Sequence, residues 1–156
     1  MRIAIALTLL LTAAGDVDGR LLDSWTYQQL FDKAGLVVIA GATVTRDTPE
    51  GAAPSQFPRG LKVMGLSTTL RAGGVLKGDH NLREVVVHHY RVVDIPPGLT
   101  NGPIVVSFDP SARSQYLLFL TREPDGRYAP VTGQVDPAQC IFKLESEVPP
   151  FIDEAD

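Results

Sequence analysis

The chain predicts a mainly β domain, an antiparallel barrel or sandwich with one N-terminal helix. Three observations predict it. Five or more short β-branched or alternating runs follow one another at close spacing. Glycines such as Gly41 fall inside those runs, where a small barrel has to bend its strands. Only one stretch, near the start, has helical capping and spacing.

In chain order, "MRIAIALTLLLTAAGDVDGR" opens with Arg2, an apolar run Ile3–Leu11 and the small residues Ala13–Gly15. That is the pattern of a secretory signal peptide, residues 1–15, cleaved around Gly15 and Asp16. The run falls short of the roughly 20 apolar residues that span a bilayer. "DSWTYQQLFDKAG" reads as a short helix capped by Asp23 or Ser24, with Trp25, Leu30 and Phe31 as its apolar stripe and Gly35 as its stop. "LVVIAGATVTRDT" is a β-branched strand. "PEGAAPSQFPRG", with three prolines and two glycines, is a mobile loop.

"LKVMGLSTTLRAGGVLKGD" reads as a long strand broken at Gly73–Gly74, and its Lys-Gly pair closes a hairpin. "VVVHHYRVV", residues 85–93, is the next strand. "DIPPGLTNGP" is a loop, "IVVSFD" and "SQYLLFLTRE" are strands, and "GRYAPVTGQ" pairs back through the Pro124–Gly126 turn. "CIFKLE" is the last strand, and residues 146–156 form a flexible acidic tail. Residues 16–145 thus make one domain with a single core.

Composition excludes several functions. The 156 residues carry 14 Lys and Arg against 18 Asp and Glu. Removing Arg2 with the leader leaves 13 basic residues, a net charge near −5. Nucleic acid is therefore not expected as a partner, since phosphate binding calls for a basic surface. The mature chain has no membrane span. With Cys140 as its one cysteine it has no internal disulfide, and that thiol reads as a small buried hydrophobe at the head of an apolar alternation.

No catalytic residues are assigned. The serines at 24, 55, 67, 107, 111, 114 and 146 stand outside any Gly-x-Ser-x-Gly elbow. Asp109, Asp125 and Asp136 sit beside proline or glycine, where a turn uses a short polar side chain. "GGVLKGD" lacks the phosphate-loop order. The aromatics Phe108, Tyr116, Phe119, Tyr128 and Phe142 read mostly as core.

The histidines are the remaining candidates. His88, His89 and His80 are weak metal candidates, because zinc takes three or four ligands and neighbouring strand residues point to opposite faces. The apolar set Val86, His88, Tyr90 and Val92 is expected to face the interior, leaving His88 buried and His89 at the surface. No cofactor is expected.

"YQQLFDKAGLVVIAGATVT", "TTLRAGGVLKGD" and "QYLLFLTREPDGRYAPVTG", in that order, resemble the netrin-like modules related to tissue inhibitors of metalloproteinases. Together with "HHYR" they are also similar to a group of short exported planctomycete proteins. The resemblance covers residues 25–142 and implies an OB-like five-stranded antiparallel barrel with one N-terminal helix. Metalloproteinase inhibitors of that family chelate zinc through an N-terminal cysteine. The stretch "DVDGRLLDSW" has none, so protease inhibition does not carry over, and Gly35 stands where the family often has Asp. The functional expectation is an exported non-enzymatic binding or scaffolding module whose partner is another exported or envelope protein. An enzyme regulator working without the N-terminal cysteine is the alternative, and a metal-binding protein the second alternative.

Overall fold

The structure, a computed structural model, describes residues 24–50, 57, 58, 60–99 and 102–144. The expected leader with its Gly15–Asp16 cleavage region, most of the 49–60 loop and the acidic tail lie outside the described residues.

Helix α1 spans Tyr27–Lys33. Its cap is Thr26, not Asp23 or Ser24. The Thr26 hydroxyl accepts from the Gln29 backbone N–H and the Gln29 side chain accepts from the Thr26 N–H, a reciprocal capping box that satisfies two orphan donors. Leu30 is its buried anchor, while Phe31 stays partly exposed.

Among the described residues six strands follow: β1 Leu36–Asp47, β2 Lys62–Lys77, β3 Glu84–Asp94, β4 Gln115–Arg122, β5 Tyr128–Pro130 and β6 Ile141–Leu144. The sheet runs β1-β2-β3-β5-β4, and β4 pairs back on β1, which closes a five-stranded barrel. This is the OB-like barrel with a helix that was expected, with one refinement. The β3–β5 pairing, at Val87 and Tyr128, is parallel, so the barrel is mixed rather than wholly antiparallel. β6 shares the edge of β4 beyond β5.

Local chemistry explains the bends. β1 pairs with β4 only up to Gly41, opposite Gln115, and thereafter with β2 alone. Register shifts between Val37 and Val38, Ile39 and Ala40, and Ala42 and Val44 coil the strand where it changes partners. β2 is continuous through Gly73–Gly74, where a break was expected; β1 pairs with Gly74 and Ala72 on either side, and the irregularity is a register shift that leaves Gly73 without a partner. The hairpin to β3 turns at Gly78, whose φ of +110° is open to glycine at little cost.

The residues 104–109 carry strand-like alternation but join no ladder, contrary to expectation. Both edges of β4 are already taken, so this extended segment lies across the barrel and drives Val106 and Phe108 into the core instead. Asp136 holds its start, accepting from the Ile104 N–H through a side-chain oxygen and donating its own N–H to the Ile104 carbonyl.

The main core gathers Leu36, Val38, Leu70, Val85, Val87, Leu118 and Leu120 inside the barrel. A second cluster packs α1 on the barrel through Leu30, Val37, Phe119 and Cys140. A third lies outside β3, formed by Phe57, Leu61, Val63 and Tyr90. Among the described residues no helix is long and apolar enough to cross a membrane.

Candidate functional site

The zigzag of β3 separates His88 from His89, as expected, but the assignment of faces is reversed. Val85, Val87 and His89 point into the barrel, and His89 is 1% exposed. Val86, His88 and Tyr90 point outward. The apolar character of Tyr90 was a misleading guide, because the third cluster buries it on the outer surface of the sheet. His88 is buried as well, under the chain at Glu50 and the β4–β5 turn.

His89 sits in a neutral relay. The Val106 carbonyl, 3.1 Å from Nδ1, can only accept, so Nδ1 carries the proton. Nε2 then accepts from the Thr68 hydroxyl at 2.8 Å, and Thr68 in turn accepts from the Thr45 hydroxyl at 2.7 Å. Phe108 meets the imidazole edge-on, with centroids 5.1 Å apart. Burial holds the His89 pKa down at about 4, opposed by the hydrogen bond to Val106.

His88 sits in a charged network. Its Nδ1 donates to Glu123 Oε2 at 3.0 Å, and Nε2 faces Glu50 Oε2 at 3.4 Å without forming a hydrogen bond. Arg127 grips Glu50 with both terminal nitrogens, at 2.7 and 3.2 Å, and its Nε reaches Asp125 at 2.7 Å. The Thr48 hydroxyl also donates to Glu50. These donors, Arg127 first, hold the Glu50 carboxyl at about 2, and Glu50 in return raises the Arg127 pKa. Burial, then the nearby Glu50 and Glu123 carboxylates, raise the Tyr90 phenol. The Gln134 amide donates to the His88 carbonyl at 2.9 Å and fixes the strand from its other edge.

Gly65 makes this arrangement possible. The chain leaving β1 crosses β2 there, with Thr48 N–H bonded to the Gly65 carbonyl and the Gly65 N–H bonded to the Glu50 carbonyl. A Cβ at Gly65 would overlap the Thr48 hydroxyl and crowd Glu50, so only glycine admits this close crossing. Sequence reading missed Glu50, Glu123, Arg127 and Gln134. A mid-strand glycine in "VMGLS" and the charges flanking the "EPDGRY" turn were the available signals.

The other candidates lie elsewhere. His80 is exposed at the β2–β3 turn. Cys140 is fully buried, with Pro137 O and Thr132 Oγ1 each 3.1 Å from its sulfur, and burial pushes its thiol pKa up. Asp109 caps the short 3-10 turn Pro110–Ala112 by accepting from Ser111, and Asp125 accepts from the Arg127 N–H, which is the turn chemistry expected of both. Among the described residues no three His, Cys, Asp or Glu side chains come together as a metal-ligand set.

No family model, curated protein or solved structure matches this chain. The molecule's own surface therefore carries the functional argument. Two grooves of similar size open beside β4. One, of about 340 Å³, lies between the 104–109 segment and β6, lined by Ile104, Ser107, Tyr116, Ile141 and Lys143. The other, of about 330 Å³, opens where β1 parts from β4, lined by Gly41, Arg71, Gly73, Arg113 and Gln115.

Proposed function

We propose that the protein is an exported, non-enzymatic binding or scaffolding module with a netrin-like barrel, acting on another exported or envelope protein. The observation that carries this reading is how firmly the carboxylates and the arginine around His88 are tied to neighbouring side chains. Most groups that could move a proton are held by another side chain, His88 Nδ1 on Glu123, Glu50 on Arg127 and Arg127 on Asp125, while His88 Nε2 is buried without a hydrogen bond, 3.4 Å from Glu50. His89 and Cys140 are likewise bonded inside the core. Such bonds rigidify a scaffold, while the openings beside β4 are left to meet a partner. The leader-like start of the chain supports export. The "DVDGRLLDSW" stretch, without a cysteine, separates this reading from zinc chelation in a protease.

The test uses the mature chain as bait on the exported and envelope fractions of its source, followed by reconstitution with each purified partner. Saturable binding that leaves the partner's mass and covalent structure unchanged is expected. A partner that is cleaved or modified on incubation, with turnover lost in H88Q, would overturn the reading.

A further inference from the structure

We infer that the groove at the β1–β4 parting binds an acidic peptide segment, its carboxylates held between Arg71 and Arg113. This rests on the binding-module reading and adds the chemistry of the partner.

Arg71 lies on β2 opposite Gly41, and Arg113 follows the 3-10 turn in a left-handed conformation, φ +51°. The two thus enter one groove from different elements. Both are exposed, and neither guanidinium has an ion pair or hydrogen bond among the described residues. Arg91 pairs with Asp47, and Arg127 with Glu50 and Asp125, while Arg46, Arg83 and Arg122, which also form no ion pair among the described residues, lie outside this groove. Glu84, the cross-strand neighbour of Arg71 on β3, forms no ion pair with it. A guanidinium presents a planar fork of donors that matches a carboxylate.

The floor between the arginines favours a peptide over a compact anion. Gly41, Ala42, Ala72 and Gly73 raise no bulky side chain, so a main chain can approach closely. The Gln115 side chain stands over Gly73 and offers an amide to a peptide group. β1 has also lost β4 as a neighbour from Ala42 onward. An extended segment with acidic side chains therefore meets donors at both flanks and small residues beneath.

The test is fluorescence anisotropy of the mature full-length chain with a labelled hexaglutamate peptide, with hexaglutamine as the neutral control. Saturable binding of hexaglutamate that weakens as salt rises is expected. R71A/R113A should lower its affinity at least about tenfold, while R46A/R122A, which removes the same charge outside the groove, should change it less than about twofold. Circular dichroism melts confirm that both variants fold; if R71A/R113A does not, R71Q and R113Q singly carry the same expectation at about threefold each. Absence of hexaglutamate binding, equal binding of hexaglutamine, or equal losses in the two double variants would each overturn the inference. So would full displacement by millimolar inorganic phosphate, which would mark a small-oxyanion site. An envelope partner that binds R71A/R113A as well as wild type sinks this inference and leaves the binding-module reading standing.

Discussion

The two faces of β3 solve the same problem by different means. His89, on the inner face, lies in a neutral relay of two threonine hydroxyls and one carbonyl. His88, one residue earlier and on the outer face, lies among two carboxylates and an arginine drawn from the end of β1 and the β4–β5 turn. Inside the barrel the dielectric is low, so a neutral imidazole with matched partners costs least. Beneath the outer chain, partial solvent contact tolerates charge, and there charge ties together segments far apart in sequence. The inner site stabilises by satisfying the core; the outer one works as a clasp between loops.

The largest expected effect comes from breaking the inner site. His89→Ala opens a cavity, removes the imidazole acceptor of the Thr68 hydroxyl and strands the Val106 carbonyl, and should destabilise by about 3–5 kcal/mol in urea unfolding. A loss below about 1 kcal/mol would show that the relay contributes little.

Next is pH. The His89 pKa of about 4 lies below its ordinary 6.5, so the unfolded chain holds more protons between those values. Stability should fall by about 3 kcal/mol as pH drops from 6.5 to 4, and level off below. The same urea series on His89→Gln should lack that limb, and a limb that persists would place its origin elsewhere.

The outer clasp should respond at lower pH and more weakly. Arg127→Met removes the chief cause of the depressed Glu50 carboxyl, which NMR titration should then find moving from about 2 back toward 4.5. Glu50 stabilises the fold above its ordinary pKa, and that contribution is lost as pH falls from 4.5 toward 2. Because its side chain is 39% exposed, solvent screening limits the cost of the variant at neutral pH to about 1–2 kcal/mol. An unmoved Glu50 titration would contradict the clasp.

Smallest is a control remote from both histidines. Lys62 and Asp94 pair at 3.0 Å, but both side chains are more than half exposed. Asp94→Asn should shift stability by less than about 0.5 kcal/mol, and a larger change would mean that surface charge, rather than enclosure, sets the scale of the outer site.

Strand positions were legible because period-2 apolar patterning and β-branched residues report on local backbone preference. Even 104–109 shows its inward alternation of Val106 and Phe108, although it joins no ladder. What alternation could not supply was which face is inside. Tyr90 is equally buried whether it faces the barrel or the outer Phe57 cluster, so the reading for His88 and His89 came out reversed. The outer network was illegible for a related reason: Glu50 and Arg127 are 77 residues apart and meet only because Gly65 lets one chain cross another.

By itself the sequence determined the mainly β character, the single helix, the turn roles of Asp109 and Asp125, and the buried state of Cys140. All of these follow from interactions within a few residues or from hydrophobicity alone. The tertiary structure alone decided the parallel β3–β5 pairing, the inward turn of His89, the clasp on His88 and the meeting of Arg71 with Arg113 at one groove. Those depend on which distant strands become neighbours once the barrel closes, and closure is a property of the whole chain that no local window contains.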